Sequence, residues 1–238
     1  WRPGTGLGAV SPLARKTNSF SKTTAKLINF LWEIAELLRD DFKKSENQNV
    51  ILPFTVLRRL DYALTNTKET VLLKNDELRE AGLENRYQAL CNVSGFSFYN
   101  TSKYNFENLL DDPENLDRNL GVYLNSFSEN VAEIFKKFKF SNTIKDLKDT
   151  NSLYIVMAEF NKQDRCDLSA LSNHDMGYVF EQLIRRFNES VNENPGEHYT
   201  PRDAITLLVK LVSSMDNDIS KEKDISRTVA DCCCGTGG

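Results

Sequence analysis

Two short stretches hold residue types and spacings that could do chemistry. The first is Gly196-Glu197-His198-Tyr199-Thr200-Pro201-Arg202-Asp203, just ahead of the apolar run Ala204 to Val212. Thr200 suits an N-cap, because its hydroxyl can accept a hydrogen bond from a first-turn amide. Pro201 then stands at the first helical position, where its missing N–H costs nothing. Asp203, three residues after Thr200, is a shortened capping-box acid and complements the helix dipole. Together these predict a rigid helix start after a Gly-containing loop. Its free amides and positive potential favour an anionic ligand group. An ordinary capped helix with no ligand explains the same residues.

The second stretch lies near the other end of the chain. Thr228-Val229-Ala230-Asp231 reads as a short strand, followed by Cys232-Cys233-Cys234 and Gly235-Thr236-Gly237-Gly238. A strand running into Gly-x-Gly is how a doubly wound α/β fold opens its ligand loop. The first Gly permits the tight turn and the next lets backbone approach the ligand. No Lys-Ser/Thr follows, so a P-loop is not read here. A Gly-rich linker is the plain alternative.

Metal chemistry is not expected. Consecutive cysteines on an extended segment alternate faces, so Cys232, Cys233 and Cys234 cannot all ligate one tetrahedral ion. The chain has no Cys-x-x-Cys spacing, and its histidines are His174 and His198 alone. With no adjacent His to activate them, thiolate catalysis is a remote rival. Free thiols suit a reducing cytoplasm.

The elements that must position these stretches read as helices. Glycine crowds both ends of the chain, and the long interior keeps only Gly82, Gly95, Gly121, Gly177 and Gly196. So few forced turns favour helix. Leu27, Phe30, Leu31, Ile34, Leu37 and Leu38 form an apolar stripe over Ser21 to Phe42. A second stripe runs Leu116, Leu120, Leu124, Phe127, Val131, Ile134, Phe135, Phe138, and a third runs Met176, Val179, Phe180, Leu183, Ile184, Phe187. All three predict core packing. Val50 to Leu64 predicts a helix with Pro53 in its first turn, and Gly95 to Asn100 predicts a short strand. Lys136-Lys137-Phe138-Lys139 reads as a solvated helix face rather than a phosphate contact.

Composition bounds the rest. The chain has 238 residues, 40% apolar and 27% charged, with net charge −4. Disordered tails, collagen-like chains and small disulfide scaffolds are excluded. A surface dominated by phosphate contacts is disfavoured. The longest strongly apolar stretch, Val50 to Leu57, is broken by Pro53 and is far short of the ~20 residues a spanning helix needs. Residues 1–20, rich in Gly and Pro at their start, read as a flexible arm or cloning scar.

Taken in order, the two stretches resemble the methylation (modification) subunit of type I restriction–modification systems. Those are adenine-N6 DNA methyltransferases that use S-adenosylmethionine. The family shows a Phe/Tyr-Thr-Pro-Arg motif and then Asp-Pro-x-Cys-Gly-Ser/Thr-Gly-Gly. Upstream, Leu31-Trp32-Glu33-Ile34-Ala35-Glu36-Leu37-Leu38-Arg39 looks similar as well. So do Val50-Ile51-Leu52-Pro53-Phe54-Thr55-Val56-Leu57-Arg58-Arg59-Leu60 and Ser172-Asn173-His174-Asp175-Met176-Gly177-Tyr178-Val179-Phe180-Glu181. The resemblance covers about Leu27 to Gly238, and its specificity lies in the order of several blocks.

The resemblance implies a mainly α fold, with an N-terminal helical domain at 21–170. At 171–238 it implies the opening of a Rossmann-like α/β S-adenosylmethionine-dependent methyltransferase domain, truncated after its first strand and Gly loop. It implies that Glu197, His198, Tyr199, Thr200, Pro201 and Arg202 lie beside the methionine portion of the cofactor. Asp231 would meet the cofactor's amino group, with Gly235, Thr236 and Gly237 forming the loop beneath. Cys232 and Cys233 depart from the family's Pro and small residue. Losing that Pro loosens the preset φ of the turn without abolishing binding. The family's Asn/Asp-Pro-Pro-aromatic motif, which holds a flipped adenine, has no match here, so no catalytic residue is expected in this chain. The implied partners are a DNA-specificity subunit, a restriction subunit and double-stranded DNA, in the cytoplasm and away from membranes. Two rivals stay open: a non-enzymatic helical subunit-docking module, and another cofactor-dependent α/β enzyme such as a dehydrogenase.

Overall fold

The computed structural model describes residues 22–39, 41–43, 46–162, 168, 171–191, 202–215 and 230–232. Helices dominate them: α1 Lys22–Leu37, α2 Asn47–Leu64, α3 Lys68–Glu80, α4 Tyr87–Ser94, α5 Leu116–Asn125, α6 Glu129–Lys137, α7 Phe140–Asp149, α8 Leu153–Phe160, α9 Asn173–Ser190 and α10 Arg202–Met215. Short 3-10 turns at Asn108–Asp111 and Pro113–Asn115 lead into α5. Among the described residues the only β pairing is one antiparallel bridge, Asn100 with Phe127.

The first stripe forms α1 and buries Leu27, Phe30, Leu31, Ile34 and Leu38. Leu37 differs from expectation and is 58% exposed, because it lies on the flank of the stripe beside the core-facing line. The third stripe forms α9. Met176, Val179, Leu183 and Phe187 are buried in the same core as α1 and α2, and α9 packs against both helices. Phe187 stacks at 5.3 Å on Trp32 of α1. Arg59 of α2 donates to the backbone carbonyls of Leu168 and Leu171, tying down the approach to α9.

Three other expectations are corrected. The helix over Val50 to Leu64 starts earlier, at Asn47, so Pro53 lies inside it and not in its first turn. A proline there cannot donate to the carbonyl four residues back. The freed carbonyl of Asn49 accepts instead from the Thr143 hydroxyl of α7, at 3.4 Å. The second stripe is not one helix but two, α5 and α6, broken at Ser126 to Ser128. The backbone there turns outward to pair: Thr101 donates to the Ser126 carbonyl at 2.9 Å and Ser128 to the Tyr99 carbonyl at 3.0 Å. That partner segment also explains the missing strand at Gly95 to Asn100, since only Asn100 finds a bridge. Gly95 itself caps α4 in the left-handed region, φ +74, which a side chain would strain.

Helices α3 and α4 form a separate hairpin around Val71, Leu78 and Leu90. The main core centres on Phe54, which meets Phe140 edge-on at 4.9 Å and stacks with Phe160 at 5.5 Å. At its edge sits a buried polar node. Arg58 and Asp61 of α2 pair at 2.9 Å with their side chains only 4% and 10% exposed. Asp61 also accepts from the Tyr123 hydroxyl of α5 at 2.7 Å and from the Phe106 amide at 3.2 Å. The Arg58 guanidinium lies over the rings of Tyr62 and Phe106, at 4.0 and 4.9 Å. Such a pair adds little net stability over apolar packing, but removing one partner strands a buried charge.

Candidate cofactor-binding segment

The helix that follows Thr200-Pro201 is present. α10 begins at Arg202, and Asp203 occupies its first turn. This is where the N-cap and first-turn proline predicted a start. A helix of this length carries first-turn amides without intrahelical partners and a positive N-terminal potential. The chemistry of that donor set fits a carboxylate.

The rest of the predicted site is only partly described. Glu197, His198, Tyr199, Thr200 and Pro201 lie outside the described residues, as do Gly235, Thr236 and Gly237. Arg202 is placed as the first residue of α10, with its backbone described. Asp231 is exposed and lies outside any strand, against the expected strand end, and a turn follows at Cys232. Cys232 is an exposed free thiol, whereas Cys91 is a buried one. Among the described residues no group of His, Cys, Asp and Glu is arranged to hold a metal ion, and no helix is long and apolar enough to cross a membrane.

α10 is amphipathic, yet its apolar residues stand in solvent among the described residues. Leu207, Leu208, Val209, Leu211 and Val212 are 49–64% exposed. α9, by contrast, is anchored at its start by a full capping box. The Asp175 amide donates to Ser172 Oγ at 3.1 Å, and the Ser172 amide donates to Asp175 Oδ2 at 3.2 Å. The Ser172 hydroxyl also donates to Asp175 Oδ2, at 2.7 Å. The hydrogen bonds from Ser172 hold the Asp175 carboxyl below the usual carboxylate range, with His174 adding a smaller pull. This cap opens the block Ser172 to Glu181, so that block has a structural reason for its residue types.

Sequence reasoning missed the polar node at Arg58, Asp61 and Tyr123. Tyr123 lies 62 residues from Asp61 and shares no spacing with the pair on α2. The signal available was a charged pair three residues apart inside an otherwise apolar helix.

Comparison with known families places the chain in two successive matches. Residues 27–160 match the HsdM N-terminal domain, and residues 171–238 match the N-6 DNA methylase family. No curated protein and no solved structure matches the chain.

Proposed function

We propose, from the premise that the chain belongs to the HsdM family of type I restriction–modification methylation subunits, that the whole protein transfers a methyl group from S-adenosylmethionine to adenine N6 in double-stranded DNA. The observation that carries this is the tandem order of the two family matches, the HsdM N-terminal domain followed directly by the N-6 DNA methylase family. The start of α10 where the Thr-Pro pair predicts it adds support.

Glu197, His198, Tyr199, Thr200, Pro201 and Arg202 would hold the cofactor's methionine carboxylate, at the start of α10. Asp231 would take its amino group, and Gly235, Thr236 and Gly237 would form the loop of a Rossmann-like α/β domain's opening. The cofactor supplies the electrophilic methyl. This chain's residues bind and orient it, while the adenine pocket comes from an Asn/Asp-Pro-Pro-aromatic motif that these 238 residues do not contain. The helical domain, 21–170, docks the DNA-specificity and restriction subunits and helps hold DNA, in the cytoplasm. The methyltransferase domain opens at 171, and α9 belongs to that stretch while packing on the helical core.

The test is methyl transfer from labelled cofactor to unmethylated DNA, by the whole protein with its specificity subunit and by residues 1–238 alone. The whole protein is expected to label adenine N6 and the 238 residues to label nothing. Label on cytosine, or turnover by the 238 residues alone, overturns the respective part of the reading. A Thr200→Ala and Asp231→Ala pair in the whole protein is expected to weaken cofactor binding; binding that is unchanged sinks the site assignment.

A further inference from the structure

A crevice of about 290 Å³ opens between the end of α2, the start of α3, α5 and the end of α8. Its inner wall is the buried polar node, and Lys68, Asn105, Glu107 and Asn161 line it as well. We propose that this crevice is a binding site for a phosphate group, with Lys68 Nζ as its charged donor and the side-chain amides of Asn105 and Asn161 completing the cradle.

The argument is one of charge and unfilled donors. Asp61 is spent: Arg58 neutralises it, and the Tyr123 hydroxyl and Phe106 amide occupy its first oxygen. Glu107 lies exposed, where solvent and salt screen it. Lys68 is half-buried, and Asp61 compensates its charge only in part. Its ammonium donates to the neutral Asn100 Oδ1 at 2.8 Å and lies 5.2 Å from the Tyr123 ring centroid, with no carboxylate at ion-pair distance among the described residues. Asn100 is itself saturated, since its Oδ1 also takes the Ser102 amide and its Nδ2 donates to the Tyr123 carbonyl. Burial pulls the Lys68 pKa down to about 8, against a smaller opposing pull from Asp61. A desolvated ammonium with spare hydrogens gains most from an anion brought to it.

The other donors are free. Asn105 uses its side-chain oxygen to accept from the Asn108 amide, which leaves its Nδ2 available. Among the described residues the Asn161 side chain makes no hydrogen bond. Arg58 lines the same crevice, and its buried Nε has no acceptor. Lys68 at a helix start, Asn105 in a loop and Asn161 at a helix end line one crevice, and donors from three elements suit a tetrahedral anion better than a planar carboxylate.

The experiment follows Lys68 in the whole protein by its rate of acylation at pH 8, read by mass spectrometry, with inorganic phosphate titrated at fixed ionic strength. Phosphate is expected to return the Lys68 pKa from about 8 toward 10.5. At pH 8 that slows its acylation several-fold while exposed lysines such as Lys136 are unaffected. Asn161→Ala is expected to weaken the protection and keep the fold. Equal slowing of all lysines, equal protection by acetate, or full protection retained in Asn161→Ala each overturns the proposal. A short DNA duplex forms the second arm. Protection by duplex identifies a backbone phosphate as the occupant, and protection by inorganic phosphate alone identifies a free phosphorylated solute.

Discussion

Helices α9 and α10 start from nearly the same kind of sequence and end in opposite situations. Both are amphipathic, and both begin at a signature made of a hydroxyl side chain and an acid three residues on. α9 buries Met176, Val179, Leu183 and Phe187 against α1 and α2. α10 leaves Leu207 59% and Val212 64% exposed. An apolar stripe therefore says that a helix has a face to cover, and says nothing of what covers it. α9 also complicates the domain picture. It lies within the stretch matching the methylase family, yet it completes the core of the helical unit. A helix shared in this way couples whatever follows it to the bundle before it.

The sharpest break of this comparison is to remove α9. A chain ending at residue 170 uncovers the α1 face that includes Trp32, which meets Phe187 of α9. It is expected to lose its cooperative unfolding transition, followed by circular dichroism during a thermal melt. A sharp transition at unchanged temperature would mean that α9 only decorates the bundle. Next in size, Leu183→Ala opens a cavity in a fully buried site and is expected to cost about 2–5 kcal/mol in urea unfolding. Ser172→Ala removes the cap of α9 and is expected to cost about 1 kcal/mol in the same assay. A cost as large as that of Leu183→Ala would indicate that the cap sets the position of α9 as well as its start. Smallest of all, Leu208→Ala on α10, within the 238 residues, is expected to change stability by less than about 0.5 kcal/mol. If it costs as much as Leu183→Ala, α10 is covered, and the contrast between the two helices collapses.

Much of the helical unit was legible because local periodicity and burial agree there. The stripes of α1 and α9 gave most of the buried residues, though Leu37 is exposed and Phe180 and Ile184 are half-buried. The failures share a cause. The break at Ser126 to Ser128 depends on Tyr99 and Thr101, some 25–29 residues away, offering backbone partners. Pro53 is tolerated inside α2 with Thr143 of α7 bonding the carbonyl that the proline leaves free. Neither partner leaves a trace in the local pattern. Of the candidate site, a helix after Thr200-Pro201 was readable, and it is described from Arg202 onward, while Thr200 and Pro201 lie outside the described residues. Whether Thr200 and Gly235 meet is a question of tertiary placement, and both lie outside the described residues.

The amino-acid order alone determined that the chain is mainly helical, which faces are apolar, and which family the chain resembles. These follow from spacing within a few turns and from blocks in sequence. Tertiary structure decided that α9 joins the helical core, that Asp61 is held by Arg58 and Tyr123, and that Lys68 is half-buried against the neutral Asn100 side chain. Those outcomes turn on contacts between residues far apart in the chain, whose energies depend on burial and on which donor reaches which acceptor.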